Sequence, residues 1–249
     1  MHRYGTLDIQ AKAAAAPVLT QMAREPWVLK GVHVLDCRTE IDASAGDALI
    51  PPSLRPGIPS YGAWSVSRVE DSPVGPFAIA ELRVGVRIGS TAGFFLIGAV
   101  CDSAAARQAL AERWGYPAVA GEIVLEELYH RASAKVTVAG CAVLELSLSD
   151  RRPLPGTRLN VPSIVNLARQ GPDGPLLLVN TPIQSTYAQA DGGRYAIGAF
   201  DGAAFGAGSA FRPSFPMGST IGVAEIVLGA VDVTADPSHP AEESLAIVA

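Results

Sequence analysis

Hydrophobic and polar residues alternate along much of the chain, in the pattern that β-strands produce. The clearest case is Phe77–Ile88, in which one face is wholly apolar and the other carries Glu81, Arg83 and Arg87. A period of two with one apolar face predicts a strand that packs against the protein on that face. Gly93–Cys101 is almost wholly apolar and predicts a buried strand.

Other segments have strand-like patterns too, and glycine- and proline-containing turns separate them. These predicted strands are the stretch from Gly31 to Cys37, Gly62–Val69, Glu122–His130, Lys135–Val138, Cys141–Leu148, Ile164–Ala168, Leu176–Val179, Tyr195–Phe200 and Val223–Val231.

The strongest helix signal is Ala104–Trp114. Asp102 or Ser103 can cap its first turn, and Gly115 with Pro117 ends it. Shorter helical patterns cover Ile9–Ala16 and Glu40–Ile50, the second of which is closed by a Pro-Pro pair.

Many strands and one clear central helix predict a mainly β (α+β) fold, arranged as a curved antiparallel sheet or β-barrel. The chain has 249 residues, of which 49% are hydrophobic, so it can bury a sizeable core. We expect a single domain over residues 1–249, with an N-terminal arm at 1–27 and a C-terminal tail at 236–249.

Composition and charge exclude several classes of function. The net charge is −5 and no run of Lys or Arg occurs, so nucleic acid is not an expected partner. No stretch reaches the roughly 20 apolar residues that span a bilayer. Met1–Gln10 has no apolar segment of a secretory signal. The three cysteines are far apart and odd in number, which favours a reducing, cytoplasmic location. Neither the three cysteines nor the four histidines have metal-ligand spacing, so we expect no metal and no cofactor.

Four short segments follow one another in a characteristic order: Asp36–Glu40, Leu49–Leu54, Gly75–Phe77, and the helix that begins at Asp102 and closes with Glu112–Pro117. In this order and spacing they resemble the acetoacetate decarboxylase family, from about Val28 to Val233. The resemblance implies a barrel-like fold with a small-molecule cavity and a homo-oligomeric assembly.

The chemistry of that family rests on a lysine amine that forms a Schiff base with a ketone. The resemblance places this lysine after the helix-ending proline, where this chain has Ala118 and Val119. The only lysines are Lys12, Lys30 and Lys135, and Lys30 stands where the family carries a basic residue that meets the substrate carboxylate. The chain is therefore identified as a divergent member without the Schiff-base lysine.

Glu81 is the main candidate for remaining chemistry. The family glutamate falls on Ile79 and a second family carboxylate falls near Trp64, but Glu81 lies on the same strand face as Ile79. Among Phe77, Ile79 and Trp64, a carboxyl would be poorly solvated and suited to general acid–base catalysis. Alternatively, this face is exposed and its charged residues form a solvated ladder.

We name Glu81 and Lys30 as candidate catalytic residues. Aromatic residues could line a pocket around the missing lysine or simply fill the core, and an arginine after the Pro-Pro turn could meet an anionic substrate. The candidate substrate-binding residues are Trp64, Phe77, Ile79, Arg83, Trp114, Tyr116, Ala118 and Arg55.

Three functions are compatible with these features. The first is a non-covalent cyclase, isomerase or lyase that acts on a keto acid or polyketide-like molecule of secondary metabolism. The second is a non-catalytic small-molecule binding protein. The third is a decarboxylase with a relocated lysine at Lys30 or Lys135.

Overall fold

The computed structural model describes residues 3–88, 91–155, 159 and 163–239 of the chain. Most of these residues lie in strands, which confirms the predicted mainly β (α+β) class. The strands are β1 (Trp27–Ile41), β2 (Arg55–Pro56), β3 (Tyr61–Asp71), β4 (Phe77–Ile88), β5 (Thr91–Cys101), β6 (Ala118–Ala120), β7 (Glu122–Glu127), β8 (Arg131–Val138), β9 (Cys141–Pro153), β10 (Ser163–Arg169), β11 (Leu176–Phe200), β12 (Pro213–Leu228) and β13 (Asp232–Ala235). The helices are α1 (Ile9–Ala13), α2 (Ala43–Ala48), α3 (Ala104–Trp114) and a 3₁₀ helix at Gly202–Phe205.

The strands form one large sheet in the order β10-β5-β4-β3-β1-β12-β11-β9-β8-β7. β10 also pairs with β11, so the strands from β10 through β5 and β1 to β11 close into a ring. The sheet is mixed rather than purely antiparallel, because β5 runs parallel to both β6 and β10. β9, β8 and β7 continue the sheet outside the ring.

β11 is one continuous strand where the sequence pattern predicts two short ones. Its first part pairs with β10, its middle with β12 and its end with β9. Each part keeps its backbone hydrogen bonds by changing partner along the strand, so no turn is required between them. β12 likewise starts at Pro213, before the predicted beginning of that strand at Val223.

Helix α3 occupies the predicted residues, Ala104–Trp114. Its cap is Ser103, whose Oγ accepts a hydrogen bond from Ala106 N, while Asp102 Oδ1 accepts one from Ala78 N at the start of β4. Gly115 ends the helix in the left-handed conformation, with φ of 68°. The chain then turns directly toward β6.

Strand β4 is buried on both faces over most of its length. Ala80, Leu82 and Val84 pack into one apolar cluster, and Phe77 and Ile79 pack into another on the opposite side. β4 lies between β3 and β5, with core residues above and below it. The alternative of a solvated charged ladder is therefore wrong for Glu81 and Arg83, although Arg87 at the strand end is exposed.

Candidate functional site

A cavity lies inside the ring of strands, lined mainly by apolar side chains. The empty space among its lining atoms, with the open mouth included, is about 780 Å³. Leu29, Val34, Phe77, Ile79 and Leu228 are among the apolar residues of its wall. The polar residues that line it are Asp36, Arg38, Ser65, Ser67, Glu81, Arg83, Tyr116, Ser185, Tyr187 and Thr220.

Strand register brings four of these polar residues into one row. Glu81 on β4 pairs with Ser65 on β3, Ser65 pairs with Asp36 on β1, and Asp36 pairs with Thr220 on β12. Paired residues of neighbouring strands project from the same face of a sheet. Glu81 and Asp36 are thus two strands apart, a backbone separation of roughly 10 Å.

Two ion pairs form within this polar group. Glu81 Oε2 accepts a hydrogen bond from Arg83 Nη2, and these residues are only 4% and 7% exposed. Asp36 Oδ1 accepts from Arg38 Nε over 2.9 Å. Arg38 lies closer to solvent, with 36% of its side chain exposed and its guanidinium 5.5 Å from the centre of the Phe94 ring. The Glu81–Arg83 pair is the more deeply buried of the two.

Burial changes the acid–base properties of the Glu81–Arg83 pair. Loss of hydration raises the pKa of the Glu81 carboxyl above its ordinary value, and attraction to Arg83 offsets that rise only in part. Burial alone would lower the pKa of the Arg83 guanidinium, but Glu81, Tyr116 and Asp36 raise it. Arg83 therefore stays charged, whereas Glu81 is the group whose protonation can change.

Several polar atoms in the cavity have no hydrogen-bond partner among the described residues. Arg83 Nε is buried and makes no hydrogen bond to the described part of the chain. The hydroxyls of Ser65, Ser67 and Tyr116 also lack hydrogen bonds to any described residue. Buried polar groups are normally paired, so these atoms are available to a ligand with several oxygens.

Tyr116 reaches the cavity because of the way α3 ends. Gly115 allows the sharp turn after the helix, and the amide of Asn166 on β10 donates to the carbonyls of both Trp114 and Gly115. The Tyr116 ring is buried, and burial raises the pKa of its phenol strongly. The hydroxyl is consequently a neutral hydrogen-bond donor at physiological pH.

Five residues selected from the sequence line this cavity: Phe77, Ile79, Glu81, Arg83 and Tyr116. Four of them share one face of β4, as the strand alternation predicts. Their contribution to binding or catalysis remains a prediction.

The structure places the other selected residues elsewhere. Trp64 lies on the opposite face of β3 from Ser65 and packs against Phe200 and Phe211, because adjacent residues of a strand face opposite sides. Trp114 packs against Trp27 and donates to Gly229 O behind the cavity wall.

Arg55 and Lys30 are also outside the cavity lining. The Arg55 guanidinium lies 5.2 Å from the centre of the Tyr4 ring and donates to its hydroxyl, in the N-terminal segment. Lys30 is exposed on the outer face of β1. A bulge at Gly31 shifts the alternation by one residue, so that Lys30 points away from the cavity although Val32 points toward it.

Ala118 and Val119, at the positions where the resemblance implies lysines, contribute to a second, mainly apolar cavity. That cavity lies between α1, the 3₁₀ helix and the start of β6, and Tyr116 lines both cavities. Of the described residues that line the central cavity, none is a lysine.

Other residues of the cavity wall are not among the candidates predicted from the sequence, and these include Asp36, Arg38, Ser65, Tyr187 and Thr220. For Asp36 and Arg38 the local signal is their alternation with Val34 on one face of β1. The rest depend on which strands pair and in what register, and that information is not local.

A model of the family described as acetoacetate decarboxylase (ADC) matches residues 14–178 of the chain. No curated protein matches it in sequence. No helix in the described part of the chain is long and apolar enough to cross a membrane.

Solved structures show the same fold at low sequence identity. Acetoacetate decarboxylase from Legionella pneumophila has 18% identity and a TM-score of 0.77, with 93% of this chain and 96% of that chain covered. The enduracididine biosynthesis enzyme MppR, complexed with pyruvate, has 18% identity and a TM-score of 0.70, with 88% and 94% covered.

An acetoacetate decarboxylase-like enzyme from Sphingomonas wittichii RW1 has 16% identity and a TM-score of 0.68, over 92% of this chain and 98% of that one. These structures support the fold, and the family model covers more than half of the sequence. The protein belongs to the acetoacetate decarboxylase family.

Proposed function

We propose that this protein is an enzyme that uses the family cavity without a lysine nucleophile. Its substrate is a keto acid or polyketide-like small molecule, and its reaction is a cyclisation, an isomerisation or a lyase-type step driven by proton transfer. The observation that carries this proposal is the buried Glu81–Arg83 pair in the wall of the central cavity.

Arg83 is the group that recognises the substrate carboxylate. Its guanidinium is buried, charged and only partly hydrogen-bonded among the described residues, since Nε is unpaired. Guanidinium groups bind carboxylates through two parallel hydrogen bonds, and such bonds are strong where water is excluded. A carboxylate held there places the remainder of the substrate against Phe77, Ile79 and Tyr116.

Glu81 is the group that moves protons. As a carboxylate it can take a proton from the carbon next to a ketone, and as an acid it can protonate the keto oxygen. Its raised pKa makes both forms accessible closer to neutral pH. The Tyr116 hydroxyl can donate a hydrogen bond to the oxygen of the enol or enolate, whose charge develops in the transition state.

The apolar wall supplies conformational control. A flexible chain confined among Val34, Ile79 and Leu228 is held in a compact form, and holding two parts of one molecule together lowers the entropic barrier to their reaction. This effect suits an intramolecular ring closure.

Structural relatives support the keto-acid class. MppR has been observed with pyruvate and with the condensation product of pyruvate and imidazole 4-carboxaldehyde. A relocated-lysine decarboxylase has less support, because Lys30 is exposed and Lys135 is exposed and paired with Glu145 at 3.1 Å.

Exchange of the α-protons of keto acids in D₂O, followed by NMR, tests this proposal without knowledge of the natural substrate. The wild-type protein is expected to accelerate exchange, and Glu81→Gln is expected to lose about 100-fold or more of that acceleration. Arg83→Gln should raise the keto-acid concentration needed for half-maximal exchange.

Glu145→Gln is the matched control, since that carboxylate is on β9, outside the central cavity, with 41% of its side chain exposed. Exchange by Glu81→Gln at the wild-type rate would reject the assignment of Glu81. Tight binding of a keto acid with no acceleration of exchange would instead identify a non-catalytic binding protein.

A further inference from the structure

Only one of the two N–H donors on one edge of the Arg83 guanidinium makes a hydrogen bond to a described residue. Glu81 Oε2 holds Nη2, and the neighbouring Nε has no partner among the described residues. Nε and Nη2 form the side-on edge that binds a carboxylate with two hydrogen bonds. Glu81 therefore uses one half of the edge that an incoming carboxylate needs.

A ligand carboxylate and the Glu81 carboxylate cannot both remain ionised at this edge without strong repulsion. Like charges that share a buried site raise the pKa of one of them until it binds a proton. Both Glu81 and Arg83 are more than nine-tenths buried, so water does not screen the repulsion effectively.

Among the titratable groups around the Arg83 guanidinium, Glu81 is the one that can take up a proton. On β1, Asp36 is paired with Arg38. On β4, Glu81 and Arg83 are the charged residues among the described residues that line the cavity. Tyr116 after α3 and Tyr187 on β11 are titratable neighbours, but burial raises the pKa of both phenols, so both are neutral. The pairs Asp36–Arg38 and Glu81–Arg83 together carry no net charge, and an added anion makes the group negative by one.

We propose that binding of a carboxylate ligand at Arg83 and uptake of one proton by Glu81 are a single coupled event. The ligand takes both hydrogen-bonding positions of the Arg83 edge, and the displaced Glu81 carboxylate becomes a neutral acid. Proton uptake restores the net charge of the cavity to zero. This inference rests on the proposed function, because it assumes that Arg83 is the carboxylate site.

The coupling determines how the reaction begins. The bound complex holds Glu81 as an acid next to the substrate, so its first step is donation of a proton to the keto oxygen. The resulting Glu81 carboxylate then takes the α-proton, which leaves an enol and regenerates the acid. One proton has moved from carbon to oxygen, and no oxidant or other reactant is required.

Calorimetric titration with pyruvate, in buffers of different ionisation enthalpy, measures the proton uptake directly. In the pH range over which Glu81 is ionised in the free protein, uptake should approach one proton per pyruvate, and the dissociation constant should rise about tenfold per pH unit. Methyl pyruvate, which has no carboxylate, should bind without uptake.

Two variants show whether the proton is taken up by Glu81 or by another titrating group. Glu81→Gln should show no proton uptake and a dissociation constant for pyruvate that does not depend on pH in this range, whereas Glu145→Gln should match the wild type. Preferred binding of pyruvate over its ester without proton uptake by the wild type would overturn the coupling alone. Equal binding of pyruvate and methyl pyruvate would overturn the carboxylate site itself, and with it the proposed function.

Discussion

Glu81 and Arg83 show how two residues of one strand can acquire unusual chemistry through burial. They stand two positions apart on β4, so they point to the same side, and the surrounding sheet removes them from water. An ion pair so deeply buried contributes little net stability, because desolvation of both charges opposes their attraction. Its presence in a cavity is therefore better explained by ligand binding than by folding.

The raised pKa of Glu81 predicts a specific dependence of stability on pH. The folded state holds this proton more tightly than the unfolded state, whose carboxyl titrates near its ordinary value of 4.5. The contribution of Glu81 to stability is therefore fully present below that pH and is lost as pH rises through the folded pKa.

The slope of this loss is about 1.4 kcal/mol per pH unit between the two pKa values. Urea unfolding of the wild type and Glu81→Gln across this range measures it, since other titrating groups cancel in the difference. The free energy of unfolding of Glu81→Gln should increase relative to that of the wild type as pH rises. Glu145→Gln should show the same dependence of unfolding free energy on pH as the wild type. Parallel curves for wild type and Glu81→Gln would contradict the raised pKa.

At the scale of elements, β5 supports the 3₁₀ helix that lines the second cavity. Gly98 on β5 lies directly under the backbone of Phe205 in the 3₁₀ helix, and a Cβ at this position would lie 2.9 Å from the carbonyl carbon of Phe205. The 3₁₀ helix can rest on β5 only because residue 98 has no side chain.

Gly98→Ala is therefore expected to lower the free energy of unfolding by about 1–3 kcal/mol, because backbone must move to admit the methyl group. Gly218→Ala on β12 is the matched control, since a Cβ there meets no atom within 4 Å. Urea unfolding compares the two. An equal effect of both substitutions would show that Gly98 has no special packing role.

Local elements were largely predictable from the sequence, but their pairing was not. The limits of α3 and β4 follow from capping residues and from strict alternation, both of which act over a few residues. The prediction that Trp64 lines the cavity is wrong, because an offset of one residue on β3 reverses the direction of a side chain. The row from Glu81 through Ser65 to Asp36 needs the register of three strands, which no local pattern contains.

At the scale of the whole molecule, the positions of the three lysines decide which chemistry is available. Lys12 Nζ donates to Gly206 O at the second cavity, Lys30 is exposed on β1, and Lys135 pairs with Glu145 on the sheet outside the ring. A Schiff-base lysine must be desolvated and held against its ketone. None of these three amines lines the described wall of the central cavity.

The central claim is that this family member works through Glu81 and Arg83 without an amine nucleophile. The most direct measurement treats the protein with a panel of β-keto acids and borohydride, and determines the intact mass. The same experiment, with α-proton exchange, is applied to a variant in which Lys12, Lys30 and Lys135 are all replaced by arginine. The account predicts no reduced adduct on the wild type and undiminished exchange by the lysine-free variant. A reduced adduct on any of the three lysines, with loss of exchange in the variant, would contradict it.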